Sequence, residues 1–287
     1  MNDQAMSLRR KLQQVNDPRQ AKTISIVSGK GGVGKSNFAL NFSLELLKNN
    51  KKVLLFDLDV GMGNIDILVG LNAKRTIVDM FDEKLGIHDI IEKGPGNLSY
   101  IAAGNGLSSL FILDNDKKDY FLEQYNELVQ LYDYIVFDMG AGATREGLFF
   151  ILASDECIVI TTPEPTSITD AYGMIKHIVN NQGNMPIYVV MNRSFTKKTG
   201  TKALDRFQRI IKQFLTIEIQ QMGILPDDRT VSTAVTRQIP YTLLDKNAPI
   251  SQAMKQLVSN YSQTSYSTKT QETTSFVQRI KRFLIER

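Results

Sequence analysis

Nine residues constrain this chain more than any others: Ser28-Gly29-Lys30-Gly31-Gly32-Val33-Gly34-Lys35-Ser36. They follow a β-branched run, Thr23-Ile24-Ser25-Ile26-Val27, and open into residues 37–44, where apolar side chains recur at helical spacing. A strand, a glycine-rich turn and a helix start in that order make a phosphate-binding loop. Gly29, Gly31, Gly32 and Gly34 let the backbone of this loop, Val33 included, turn its N–H groups onto phosphate oxygens, and the helix that begins near Asn37 adds its partial positive charge. In such a loop Lys35 reaches the β- and γ-phosphates and the Ser36 hydroxyl ligates Mg²⁺, so the cofactors expected are ATP and Mg²⁺.

Two further strands end in acids. Residues 52–56 form a continuous apolar run that reads as a buried parallel strand, followed by Asp57-Leu58-Asp59. Residues 134–137, Tyr-Ile-Val-Phe, run into Asp138 and the glycines Gly140 and Gly142. In open α/β sheets ligands gather at the carboxyl ends of strands, so these acids should meet the glycine loop. Asp138 is then a metal acid acting through water, and Asp57 a supporting acid of the same Mg²⁺ site. Further strands are expected at 156–161, 187–191 and 217–224, alternating with helices such as 167–180. That rhythm predicts an α/β fold, a doubly wound, mostly parallel sheet with helices on both faces.

The second lysine of the loop makes it resemble the deviant Walker A motif of the MinD/ParA ATPases. In that family the first lysine crosses a nucleotide-sandwich dimer to the partner's phosphates, which implies catalytic roles for Lys30, Lys35 and Asp59, the last orienting the attacking water. Lys30 has no task in its own site that Lys35 does not already fill. The resemblance implies an ATPase that forms a homodimer with ATP. It extends to residues 162–172, and to Asn192-Arg193 and Pro226-Asp227-Asp228, which match the family's adenine-holding positions and place Asn192, Arg193, Pro226 and Asp228 in the ATP site.

The ends of the chain narrow the family. Asp3-Gln4-Ala5-Met6-Ser7-Leu8-Arg9 is similar to the DQAxxLR pattern of the FlhG (YlxH) family, regulators of flagellar number and placement. There the segment stimulates the signal-recognition-type GTPase FlhF, so Asp3, Gln4, Ala5, Leu8 and Arg9 are implied as partner-binding. The alternatives are a division-site MinD, which normally begins almost directly with the first strand, and a DNA-partition ATPase of the ParA type. At the other end, residues 262–275 contain nine Ser or Thr and read as a flexible linker. Phe276, Val277, Ile280, Phe283 and Leu284 then fall on one face of a basic amphipathic helix, 276–287, whose expected partner is an anionic membrane. The domains expected are 1–21, an activator helix with its linker; 22–261, the ATPase body; the linker; and the tail.

Composition excludes other classes. A single cysteine, Cys157 in an apolar run, allows no internal disulfide and no paired-cysteine iron site. Residues 1–20 lack the apolar core of a secretory leader, so the expectation is a cytoplasmic protein reversibly held at the inner face of the cell membrane. The net charge of +4 is unevenly spread: residues 193–212 carry seven cations and one acid, and 276–287 four cations and one acid. The first concentration lies on a helix whose inward stripe is expected to be Leu204, Phe207, Ile211 and Phe214, leaving Lys202 to Lys212 as a docking surface for flagellar switch-complex (C-ring) proteins. No nucleic-acid partner is expected.

Overall fold

In the computed structural model the described residues are 20–59, 63–104, 115–142, 145–181, 183, 185–265, 276 and 278–280. The activator segment, with Asp3, Gln4, Ala5, Leu8 and Arg9, lies outside them, as do Val277, Phe283 and Leu284 of the tail.

Eight strands form one sheet in the order β3-β4-β2-β5-β1-β6-β7-β8. They are β1 (Lys22–Val27), β2 (Val53–Leu58), β3 (Glu92–Lys93), β4 (Ser99–Ile101), β5 (Tyr134–Met139), β6 (Glu156–Thr161), β7 (Ile187–Ser194) and β8 (Gln220–Pro226). Only β3 runs antiparallel among these pairings, so the sheet is doubly wound and mostly parallel, as the alternation of patterns required. β2, β5 and β6 are buried along their whole length, which is why they read as unbroken apolar runs and not as alternating ones.

Helices cover both faces. On one lie α1 (Lys35–Lys48), α2 (Ile65–Val69), α8 (Arg229–Arg237), α9 (Tyr241–Leu244) and α10 (Pro249–Ser265), enclosing Phe38, Phe42, Tyr241 and Met254. On the other lie α3 (Ile77–Asp82), α4 (Asn115–Leu131), α5 (Arg145–Ala153), α6 (Pro165–Asn180) and α7 (Lys197–Leu215), around Phe56, Phe121, Tyr125, Phe137 and Phe207. The sheet therefore separates two cores, and its carboxyl edge is left to the loops.

Three expectations shift. The last strand begins at Gln220, not at residue 217, because Thr216 ends α7 in a left-handed conformation (φ 56°) and the next three residues are spent turning back to the sheet. The short β3 and β4 carry too little pattern to be read from sequence. Phe214 is 64% exposed and does not belong to the inward stripe. Three residues beyond Ile211 the helix has turned about 60° away from the core axis at 3.6 residues per turn. Leu215, four beyond it, packs partly against the core instead.

The tail holds the largest surprise. Phe276 and Ile280, expected on a lipid-facing stripe, are 4% and 6% exposed and belong to the core beneath α4 and α5. The Phe276 ring lies 4.6 Å from that of Tyr125 and 5.3 Å from that of Phe137, centre to centre. Arg279 fastens this contact: its Nε donates to the carbonyl of Ala153 at 2.6 Å, where α5 ends, and its guanidinium pairs with Asp155. Phe276, Arg279 and Ile280 are thus part of the body.

Candidate nucleotide site

The glycine loop leaves the carboxyl end of β1, Asp57 stands near the end of β2 and Asp138 near that of β5. Because β2, β5 and β1 are neighbours, with Asp57 level with Asp138 and Asp138 level with Ile26, the three features share one edge. Gly34 caps α1 at φ 93°, and a Cβ there would stand 2.5 Å from Asn192 Nδ2. Gly29 has a different reason to lack a side chain, since a Cβ would meet the carbonyl of Asp170 on α6 at 2.1 Å. Gly31 and Gly32 are exposed at the crest of the loop, Val33 is buried under it, and Asn37 lies half-buried in the first turn of α1. From the switch side, Gly142 donates its N–H to the carbonyl of Ser28 at 3.0 Å.

Lys35 is buried and its Nζ lies 2.6 Å from Asp138 Oδ1, 3.3 Å from Ser36 Oγ and 4.0 Å from Asp59 Oδ2. Burial pushes the Asp138 carboxyl above the usual carboxylate range, against the pull of Lys35. Its second oxygen, Oδ2, is buried without a protein partner. A buried carboxylate oxygen of this kind costs free energy unless something satisfies it. Together with the neighbouring Ser36 hydroxyl it is an all-oxygen donor set that fits Mg²⁺ and its water shell.

Asp57 has another occupation. Its Oδ1 accepts the N–H of Asp59 at 3.0 Å, and its Oδ2 accepts those of Asn64 and Ile65 at 3.0 and 3.2 Å. Both oxygens tie Asp59, Asn64 and Ile65 to the end of β2, a task that stands beside the expected supporting role of Asp57 at the Mg²⁺ site. Burial, reinforced by Asp138 across the strand pair, pushes its carboxyl up to about 7. Asp59 projects beyond that anchor and reaches the second acidic loop: a Cβ on Gly140 would stand 3.4 Å from its Oδ1.

Lys30 does have partners in its own subunit. Its Nζ lies 3.4 Å from Glu164 Oε2 and 3.2 Å from Thr166 Oγ1, at the entry to α6 and in an exposed position. Glu164 and Thr166 were legible only as part of a loop; an exposed acid near an unemployed lysine was the signal that would have singled them out.

At the adenine side, Asn192 Nδ2 donates to the carbonyl of Val33 at 2.8 Å. A carbonyl only accepts, so the amide must place Nδ2 there, and its Oδ1 is left as an acceptor. Arg193 is exposed at φ 51°, and the N–H of Asp227 bonds the carbonyl of Ser194 at 3.0 Å, holding the end of β8, Pro226, beside that of β7. The Asp228 side chain caps α8 through Thr230 N–H (2.8 Å) and also accepts from Ile250 N–H (3.1 Å). Burial raises its carboxyl, but these two bonds outweigh it and the net shift is down. Asp228 thus spends its side chain on holding the start of α8 and the start of α10 together.

A family model described as ParA: NUBPL iron-transfer P-loop NTPase matches residues 19–262, the whole of this body. The chain belongs to that family. Curated relatives include the antiactivator FleN of Pseudomonas aeruginosa, 30% identical over 79% of this chain and 81% of the relative. The flagellum site-determining protein YlxH of Helicobacter pylori is 30% identical over 90% and 89%. Among solved structures, the septum site-determining protein MinD from Pyrococcus horikoshii, complexed with Mg-ADP, superposes with a TM-score of 0.70 at 23% identity, covering 87% of this chain and all of that one. The chain is thus a MinD-like P-loop NTPase of the FlhG type. Iron transfer does not carry over: Cys157 is buried and its thiol is pushed up to about 12 by burial.

Proposed function

We propose that this protein is an ATP-hydrolysing switch that dimerises around ATP, binds the membrane through its tail and controls the number and placement of flagella, stimulating the FlhF GTPase through its N-terminus. The observation that carries the flagellar assignment is the extent of the likeness to YlxH. Ninety per cent of the chain is more than the body 22–261 comprises, so the match runs past the body at one end at least.

Each step falls to a residue already placed. When bound, Mg²⁺ neutralises charge on the β- and γ-phosphates, held by Ser36 and, through water, by Asp138. Lys35 exchanges its carboxylate partner, Asp138 Oδ1, for phosphate oxygens. Asn192 offers Oδ1 to the exocyclic amine of adenine; guanine presents an acceptor at the same place and is refused. Asp59, at the junction of the two acidic loops, orients the attacking water. Lys30 leaves Glu164 and Thr166 to reach the phosphates of the partner subunit, an exchange made cheap by the exposure of its resting place.

Membrane binding has a cost in this state, because Phe276 and Ile280 are already in the core. The tail must be released before its apolar face can enter lipid, and two tails in one dimer multiply avidity without a new contact. The assignment is tested with a peptide of residues 1–20 and with the full-length protein, each added to FlhF. Faster GTP hydrolysis with both, reduced by Gln4→Ala, is the expected result. No stimulation by either would move the protein to the division-site branch of the family.

A further inference from the structure

The outer face of α7 is unlike any other surface of the described body. Lys198, Lys202, Arg206 and Arg209 follow one another at spacings of four, four and three residues, a single stripe diametrically opposite the buried Gly200, Leu204, Phe207 and Ile211. All four are exposed. The acid on this side, Asp205, is hydrogen-bonded to Gln221 at 2.9 Å, and Lys212 is paired with Glu218, so both are set apart from the stripe. At the two ends of the helix stand the most exposed aromatic side chains described, Phe195 at 86% and Phe214 at 64%. A Phe ring left in water is costly by about 1.5–3 kcal/mol relative to a buried one, and Phe195 stands at the start of the row of four cations, whereas Phe214 lies on the flank nearer the core side.

A second observation says what covers them. α7 belongs to the helical layer into which the tail is docked, on the same side of the sheet as Phe276 and Ile280. The α7 stripe, opposite the residues buried in that layer, faces outward on the same side of the sheet. We infer that the outer face of α7 is a second membrane contact, in which Lys198, Lys202, Arg206 and Arg209 bind anionic lipid headgroups and Phe195 enters the interface. This rests on the membrane reading above and adds a site on the folded body to the tail. Cations on a folded surface attract anionic lipid without needing to be released first, so the α7 face gives the body an affinity for the membrane independent of the tail's state and fixes its orientation there.

The test uses full-length protein with Mg-ATP and vesicles of phosphatidylglycerol and phosphatidylethanolamine. The chain has no tryptophan, so Phe195→Trp supplies a lone indole at the proposed contact. Each cation near an anionic surface contributes about fivefold to partitioning, so the triple change Lys202→Glu, Arg206→Glu, Arg209→Glu should lower vesicle binding by at least about 100-fold. Its ATP turnover, measured without vesicles, should remain. The indole should shift to the blue on anionic vesicles and be quenched by brominated lipid. Wild-type protein that never pellets would overturn the membrane reading and this inference with it. Wild-type binding that the triple variant matches, or a silent indole on protein that pellets, would overturn the α7 contact alone. Loss of binding to an acidic flagellar switch protein by the same variant, with lipid binding intact, would assign the face to that protein instead.

Discussion

Asn192 shows how much one amide can settle. Its Nδ2 is committed to the Val33 carbonyl, so the orientation of Oδ1 follows from hydrogen-bond chemistry. Replacing it by alanine removes both the base acceptor and a brace of the phosphate loop. Asn192→Ala should weaken ATP about tenfold, the scale of one buried hydrogen bond left unmade, and should narrow the preference for ATP over GTP. Displacement of a fluorescent ADP analogue by each nucleotide measures both; an unchanged ATP-to-GTP ratio would remove Asn192 from base selection. Asp57 makes a prediction of a different kind. With its carboxyl pushed up to about 7 in the folded chain and near about 4 when unfolded, the folded state holds a proton between those values that the unfolded state has lost. This contribution to stability is complete below the lower value and is lost as pH rises through about 7, with a slope of up to about 1.4 kcal/mol per pH unit. Urea midpoints without nucleotide or Mg²⁺ should show less loss from pH 5 to 8 in Asp57→Asn than in the wild type. Parallel curves would mean that Asp57 is not the group that titrates.

At the scale of elements, the catalytic edge was legible and the tail was not, for a physical reason. A phosphate loop is specified locally: glycines, a lysine and a hydroxyl must stand in order, and the strand before and helix after them announce themselves by period. Asp138 was legible for the same reason, coming directly after an apolar run. Asp57 carries the same local signal, but its hydrogen bonds run to backbone N–H groups up to eight residues on, and no pattern marks those. The face of the tail was correctly read as apolar, yet an apolar helical face states only that it will be covered. Whether lipid or the Tyr125–Phe137–Phe150 surface covers it depends on partners more than a hundred residues away in sequence. Likewise Phe214 was read into the inward stripe by its spacing, but Leu215 takes the core-facing place in that turn. The docked tail is open to test. Phe276→Ala removes a ring whose burial is worth about 3–5 kcal/mol, most of which holds the tail in place. Trypsin should then cut after Arg279 at least tenfold sooner, while the urea midpoint of the body changes little. Cleavage no faster than in the wild type would show that Arg279 and Ile280 suffice to hold it.

The whole molecule is a sheet with the phosphate loop and two acids on its carboxyl edge and Phe276 and Ile280 docked in one of its two helical layers. The two are joined through β5 and α5. β5 carries Asp138 at its end and Phe137, one residue earlier, under the Phe276 ring; α5 follows the second acidic loop and ends on the carbonyl that holds Arg279. A change in the acidic loops on ATP binding therefore has a short physical route to the tail. At the same edge Lys30 rests on Glu164 and Thr166, a surface contact of the kind worth no more than about 1 kcal/mol, ready to be exchanged for phosphates across a dimer. In the function proposed above, dimerisation around ATP is the event on which hydrolysis, tail release and membrane avidity all depend. Its most direct measurement is the mass of full-length Asp59→Ala protein by size-exclusion chromatography with light scattering, in saturating Mg-ATP and in Mg-ADP. Without its water-orienting carboxylate this variant should run as a dimer of about twice 32.3 kDa in ATP and as a monomer in ADP. Adding Lys30→Ala should return it to the monomer in both. A monomer in saturating Mg-ATP, or a dimer indifferent to Lys30, would contradict the account.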